Sequence, residues 1–155
     1  MKSVQKNEIH LERYVPYLLL RITNLLNLDM KGTLRKLNLT VPRWRILAVL
    51  NLDDGLTIGE ISQHTALEHV AASRVVAQME RERLVIRETG ANDNRYTHVY
   101  LTKKGQKTYN ELYPRAIAQE KMALAGLPQK EIDAFISTSK KILSNVEKQV
   151  NSGRR

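Results

Sequence analysis

The sequence predicts a mainly helical chain that carries one small β-hairpin, and three observations predict it. Apolar residues recur every three or four places through most of the 155 residues, the period of helices with one buried face. That period changes once to two, over residues 84–88 and 96–101, the signature of half-buried strands. Between those strands lies a polar, glycine-containing segment, 89–95, of the kind that closes a hairpin.

Each element has its own local reason. From 16 to 37 the stripe Leu18, Ile22, Leu25, Leu26, Met30, Leu34 and Leu37 predicts a long amphipathic helix, with Pro16 suited to its first turn. Thr40 is the expected N-cap of a second helix, Pro42 its first turn, and Gly55 the left-handed residue that closes it after Trp44, Leu47, Ala48 and Leu50. Thr57 and Glu60 stand three apart, so each side chain can satisfy an orphan amide at the start of a short third helix. A break at 65–67 precedes a helix over 68–83, with Ala72, Val75, Val76 and Met79 inward and His69, Val70, Ser73, Arg74 and Ala77 outward. Two helices joined by a tight turn form a helix-turn-helix, and the hairpin that follows them is its wing.

Thr102 is placed to cap a long helix running past a kink at Pro114 to Gly126. Pro128 opens a last helix with Ile132, Phe135, Ile136, Ile142, Leu143, Val146 and Val150 along one face, and residues 151–155 read as a disordered tail. The terminal helices present wider apolar stripes than a winged lobe of roughly 65 residues covers, so a symmetric dimer is the economical way to bury them. The domain reading is therefore 41–102 for a winged helix-turn-helix and 1–40 with 103–155 for a helical dimerisation region.

Composition narrows the function. Lys and Arg number 25 against 16 Asp and Glu, a formal charge of +9, which makes a polyanion the first partner to test. With no Cys there is no thiolate zinc site, cysteine nucleophile or thiol switch. The apolar stretch 15–28 is interrupted by Arg21, Thr23, Asn24 and Asn27, too polar to span a bilayer, and the first six residues do not resemble a signal peptide, so the expected location is cytoplasmic. His10, His64, His69 and His98 lack metal-binding spacing, the glycines form no phosphate loop, and no nucleophile motif occurs, so neither an enzyme, a metal site nor a cofactor is expected.

Taken together, Leu56-Thr57 with Glu60-Ile61, Ser73-Arg74, Leu84-Val85-x-Arg87, Asp93-Asn94-Arg95 and Leu101-Thr102-x-x-Gly105 resemble the MarR family of bacterial transcriptional regulators, most densely over 44–106. The resemblance implies a homodimer on double-stranded DNA, with a recognition helix in each major groove and a wing in the flanking minor groove. On that reading His69, Val70, Ser73 and Arg74 face the bases, where a guanidinium can reach guanine O6 and N7 and Val70 a thymine methyl. Arg95 enters the minor groove, oriented by Asp93 beside Asn94 at the wing tip. Arg83 departs from the family pattern by standing where a glycine closes the recognition helix.

The family is commonly switched by small aromatic or anionic ligands, and Tyr17, Arg21 and Trp44 are the candidates to hold one, Arg21 taking its carboxylate. The function expected is thus a ligand-released repressor on a pseudo-palindromic operator. The alternative is an architectural or protein-binding winged helix without a ligand switch.

Overall fold

A computed structural model describes residues 10–89 and 96–152. A single 3-10 turn, Leu11–Arg13, leads into α1 (Val15–Lys36), α2 (Val41–Leu52), β1 (Leu56–Thr57), α3 (Ile58–Thr65) and α4 (His69–Arg81). The hairpin β2 (Val85–Thr89) and β3 (Thr97–Leu101) follows, then α5 (Lys103–Ala123) and α6 (Gln129–Ser152). The chain divides after Gln119 into two compact units.

In the first unit the core gathers the inner faces that the periodicity predicts. Ile46, Leu47 and Leu50 of α2, Ile61 of α3, Ala72, Val76 and Met79 of α4, Val85 and Val99 of the hairpin and Leu112 of α5 are all buried. Each large aliphatic side chain so removed from water contributes about 1.5–3 kcal/mol. Only the carboxyl-terminal half of the α1 stripe joins them, through Met30 and Leu34, while Leu18, Ile22 and Leu25 are exposed. In the second unit α6 likewise leaves Phe135, Ile136, Leu143, Val146 and Val150 exposed.

Several local expectations are corrected. The sheet has three antiparallel strands in the order β1-β3-β2, because Leu56 and Thr57 pair with Val99 and His98. Two residues are too few to show a period, which is why the strand escapes a reading of the pattern. Thr40 has the extended backbone of an N-cap but makes no side-chain cap bond. Helix α2 closes on an extended Asp53 instead of a left-handed glycine. Gly55, at φ +82°, turns the chain into β1, where its amide donates to the Val99 carbonyl at 3.0 Å. A Cβ there would stand 2.6 Å from the Tyr100 ring.

Helix α4 ends at Arg81, two residues early, and α5 at Ala123, three early, with Gly126 at φ +82° in the following turn. Helix α5 runs through Pro114 as one element. Helix α6 continues to Ser152, so the predicted disordered tail does not begin at residue 151.

Candidate nucleic-acid interface

Helix α4 exists because its inner stripe is apolar at helical spacing, and the same period determines what it presents outward. With Ala72, Val76 and Met79 buried, His69, Val70, Arg74 and Gln78 are exposed, and Ser73 and Ala77 are half-buried at the margin. Arg74 makes no ion pair among the described residues, so its guanidinium is available to a ligand. Four of the seven predicted DNA-contacting residues, His69, Val70, Ser73 and Arg74, therefore share the exposed side of one helix. The other three, Asp93, Asn94 and Arg95, lie outside the described residues.

The start of the helix-turn-helix is held by the predicted capping box. The Thr57 hydroxyl accepts from the Glu60 amide at 3.3 Å while the Glu60 carboxylate accepts from the Thr57 amide at 2.8 Å. The Thr57 amide first, and then the Thr57 hydroxyl, which donates to the same carboxylate at 2.7 Å, hold the Glu60 carboxyl below its usual pKa. The turn into α4 uses Ala66 in the left-handed region at φ 54°, and the Ser62 hydroxyl donates to the Leu67 carbonyl at 2.6 Å.

The far end of α4 is fastened by polar contacts that sequence reading missed. Arg43, 5% exposed, donates through both terminal nitrogens to the Glu82 carboxylate and also to the Asn38 carbonyl at 2.9 Å. Lys104 donates to the Glu82 carbonyl at 2.8 Å. The absence of a glycine at Arg83 suggests a helix end of different geometry, but Arg83 takes up the left-handed backbone all the same, with φ 59°, and the Thr102 hydroxyl donates to its carbonyl at 2.6 Å. For a residue with a Cβ that conformation costs about 1–2 kcal/mol, which the surrounding bonds offset.

The wing is oriented by the same junction. Strands β2 and β3 pair from Val85 with Leu101 to Thr89 with Thr97. Arg87 of β2 donates through Nε to Glu80 of α4 at 2.8 Å, and this hydrogen bond is the main cause of the lowered Glu80 pKa. That contact ties the hairpin and the helix into one piece. Gly105 permits the closeness of α5 to this piece, since a Cβ on it would lie 2.0 Å from the Leu84 carbonyl oxygen. On the other edge, His98 Nδ1 lies 2.8 Å from the Gly55 carbonyl, and Asp54 accepts from the Leu101 amide at 2.9 Å.

The predicted ligand residues are spread differently. Trp44 stacks on Tyr109 with ring centroids 5.6 Å apart and packs against the core, Tyr17 is half-buried, and Arg21 is exposed. An open groove beside α1 is lined by other residues, among them Lys31, Leu34 and Arg35. A second polar cluster joins α1 to α5, where the Asp29 carboxylate accepts from Arg115 and Gln119; those bonds, Gln119 first, lower its pKa. Among the described residues no cluster of His, Asp and Glu could hold a metal ion, and no helix is long and apolar enough to cross a membrane.

The sequence profile of the MarR family matches residues 37–95, a span that takes in α2, α3, α4 and β2. The HTH-type transcriptional repressor IacR of Pseudomonas putida is 31% identical over 117 residues, covering 71% of this chain and 70% of that protein. The chain belongs to the MarR family. A solved MarR-family transcriptional regulator from Silicibacter pomeroyi has the same fold, with a TM-score of 0.82 and 33% identity over 89% of this chain and 93% of that one. The homoprotocatechuate degradative operon repressor of Escherichia coli is 32% identical over 73 residues, 47% of this chain and 49% of that protein. The chain is accordingly a winged-helix DNA-binding transcriptional regulator and not an enzyme.

Proposed function

We propose that this member of the family is a repressor that binds a pseudo-palindromic operator as a homodimer and leaves it when a small aromatic or carboxylate effector binds. The observation that carries the DNA-binding part is Arg74, without an ion pair among the described residues, on the exposed side of α4 beside His69, Val70 and Ser73. Arg74 reads a guanine edge in the major groove, and Arg95, oriented by Asp93 and flanked by Asn94, enters the adjacent minor groove. Residues 41–102 form the DNA-binding lobe, and 1–40 with 103–155 form the dimerisation region. The exposed Leu18, Ile22 and Leu25 of α1 and Phe135, Leu143 and Val146 of α6 support that reading, since a second copy removes such apolar surface from water.

Repression is supported by the two relatives named above, both repressors, one of them of a degradative operon for homoprotocatechuate. The effector is assigned to Tyr17, Arg21 and Trp44, with Arg21 holding its carboxylate. Exposed Arg21 is available for that role, whereas Trp44 already spends one ring face on Tyr109. Release requires the effector to prefer the DNA-incompetent geometry, by roughly ten-thousand-fold for a change from about 99:1 to 1:99.

Genome-wide footprinting with purified protein, followed by titration of aromatic acids against the recovered sites, tests the proposal. Footprints with half-sites about one helical turn apart, lost on adding the effector, are expected. Uniform coverage without half-sites would instead identify an architectural protein.

A further inference from the structure

Gln78 stands one turn beyond Arg74 on the outer side of α4, and it is exposed as Arg74 is. Its backbone carbonyl accepts from the Glu82 amide at 3.2 Å, but its side-chain amide has no partner among the described residues. Neither the core nor the helix end uses that amide. Toward the margin of the same side lie Ser73 and Ala77, both half-buried and short. A surface that approaches α4 from outside therefore meets Arg74 and Gln78 before it meets their neighbours. Arg81, exposed and without an ion pair among the described residues, follows three residues later. Two guanidinium groups thus bracket Gln78 along the helix, and a polyanion drawn to them is brought against it.

The chemistry of the amide decides what it can hold. A carboxamide offers an N–H donor and a carbonyl acceptor side by side. Adenine presents the complement in the major groove, an acceptor at N7 beside a donor at N6. Guanine presents two acceptors, which sets the amide oxygen against one of them, while cytosine offers a donor alone and thymine an acceptor beside a methyl group. Only adenine satisfies both halves of the amide, and a half left unpaired in a closed interface costs free energy. The helix also sets the spacing. Four residues separate Arg74 from Gln78 by about 6 Å along the axis and about 40° around it. Stacked bases rise about 3.4 Å per step, so the two side chains meet base pairs about two steps apart.

We propose that Gln78 is a second base-reading residue, selecting an adenine about two base pairs from the guanine that Arg74 reads, a proposal that rests on α4 lying in the major groove. Each half-site then carries a guanine and an adenine at a separation dictated by one turn of helix. Arg74 alone specifies only the first of them.

Fluorescence anisotropy of the full chain with the footprinted operator tests it, each position of one half-site being replaced in turn by all four base pairs. The position at which Arg74→Ala loses its guanine preference fixes the register. About two base pairs away the parent should prefer adenine by about fivefold or more. Gln78→Ala should bind all four base pairs there within about twofold of one another and keep the guanine preference at the Arg74 position. Gln78→Glu, whose carboxylate only accepts, should move the preference at the Gln78 position to cytosine. Thermal unfolding of both variants at the parent's temperature shows that the fold is intact, as expected for an exposed site. Operator selectivity with an unchanged adenine preference in Gln78→Ala overturns the role of Gln78 and leaves the DNA-binding reading standing. An adenine preference retained by Gln78→Glu does the same. A parent that selects no operator over a random duplex overturns both together.

Discussion

Replacing Gly105 by alanine probes the junction of helix, hairpin and α5 with a single methyl group. The new Cβ would stand 2.0 Å from the Leu84 carbonyl oxygen and 3.2 Å from Leu101 Cδ2. The backbone oxygen cannot swing aside as a flexible side chain could, because it already accepts from the Thr102 amide at 3.1 Å and shares the Thr102 hydroxyl proton, at 3.1 Å, with the nearer Arg83 carbonyl. Separating the two elements enough to admit the methyl costs about 1–3 kcal/mol in overpacking, plus about 1 kcal/mol for each hydrogen bond lost. Against this stands a gain of about 1 kcal/mol from helix propensity. The net expectation is a loss of roughly 2–4 kcal/mol, which at about 2–4 °C per kcal/mol lowers Tm by about 4–16 °C. Gly32→Ala is the control, since a Cβ there meets nothing within 4 Å in exposed α1, and it should raise stability by about 0.5–1 kcal/mol. Thermal unfolding followed by circular dichroism at one protein concentration reads both. If Gly105→Ala melts at or above the parent, the close approach at Leu84 does not exist and the reasoning is refuted.

Further outcomes follow from the same contacts. Thr57→Ala removes the capping box and should cost about 1 kcal/mol in urea unfolding, while Thr57→Ser should cost much less; equal losses would assign the effect to packing. Arg43→Ala leaves Glu82 and the Asn38 carbonyl without their donor and should cost about 2 kcal/mol or more, with Arg43→Lys recovering only part because the two-pronged contact is lost. Asp29, Glu60 and Glu80 all have lowered folded-state pKa values, so the folded chain binds fewer protons than the unfolded one around those values. Their stabilisation is present above the ordinary carboxylate range of about 4 and is lost as pH falls through and below it. Urea midpoints measured from about pH 6 to pH 3 should fall accordingly, and Glu80→Gln should flatten the decline; an unchanged decline in that variant would remove the Arg87 contact from the explanation.

Legibility in the sequence followed the range of each interaction. The capping box needs two residues three apart, and the buried stripes of α2 and α4 need one turn of periodicity, so both were readable. The left-handed Arg83 was not readable, because a residue with a Cβ argues against that backbone and the bonds to its carbonyl and its neighbours that hold it there come from Thr102 and Lys104, about twenty positions away. Four of the seven DNA-facing candidates could be placed because they follow from one helical period. By contrast, Arg43 meets Glu82 across 39 positions and Asp29 meets Arg115 across 86, and no local pattern announces a partner at that distance. Gly105 was visible as part of a motif, but its reason, a carbonyl lying where a methyl would be, exists only in three dimensions.

Fluorescence anisotropy with the footprinted operator and a random duplex of equal length tests most directly whether α4 presents Arg74 to base edges. Wild-type protein should prefer the operator by roughly a thousand-fold or more at physiological salt. Arg74→Ala should lose about 1–3 kcal/mol on the operator and far less on the random duplex. Equal affinity of parent and variant for the operator, with the variant fully folded, would contradict it.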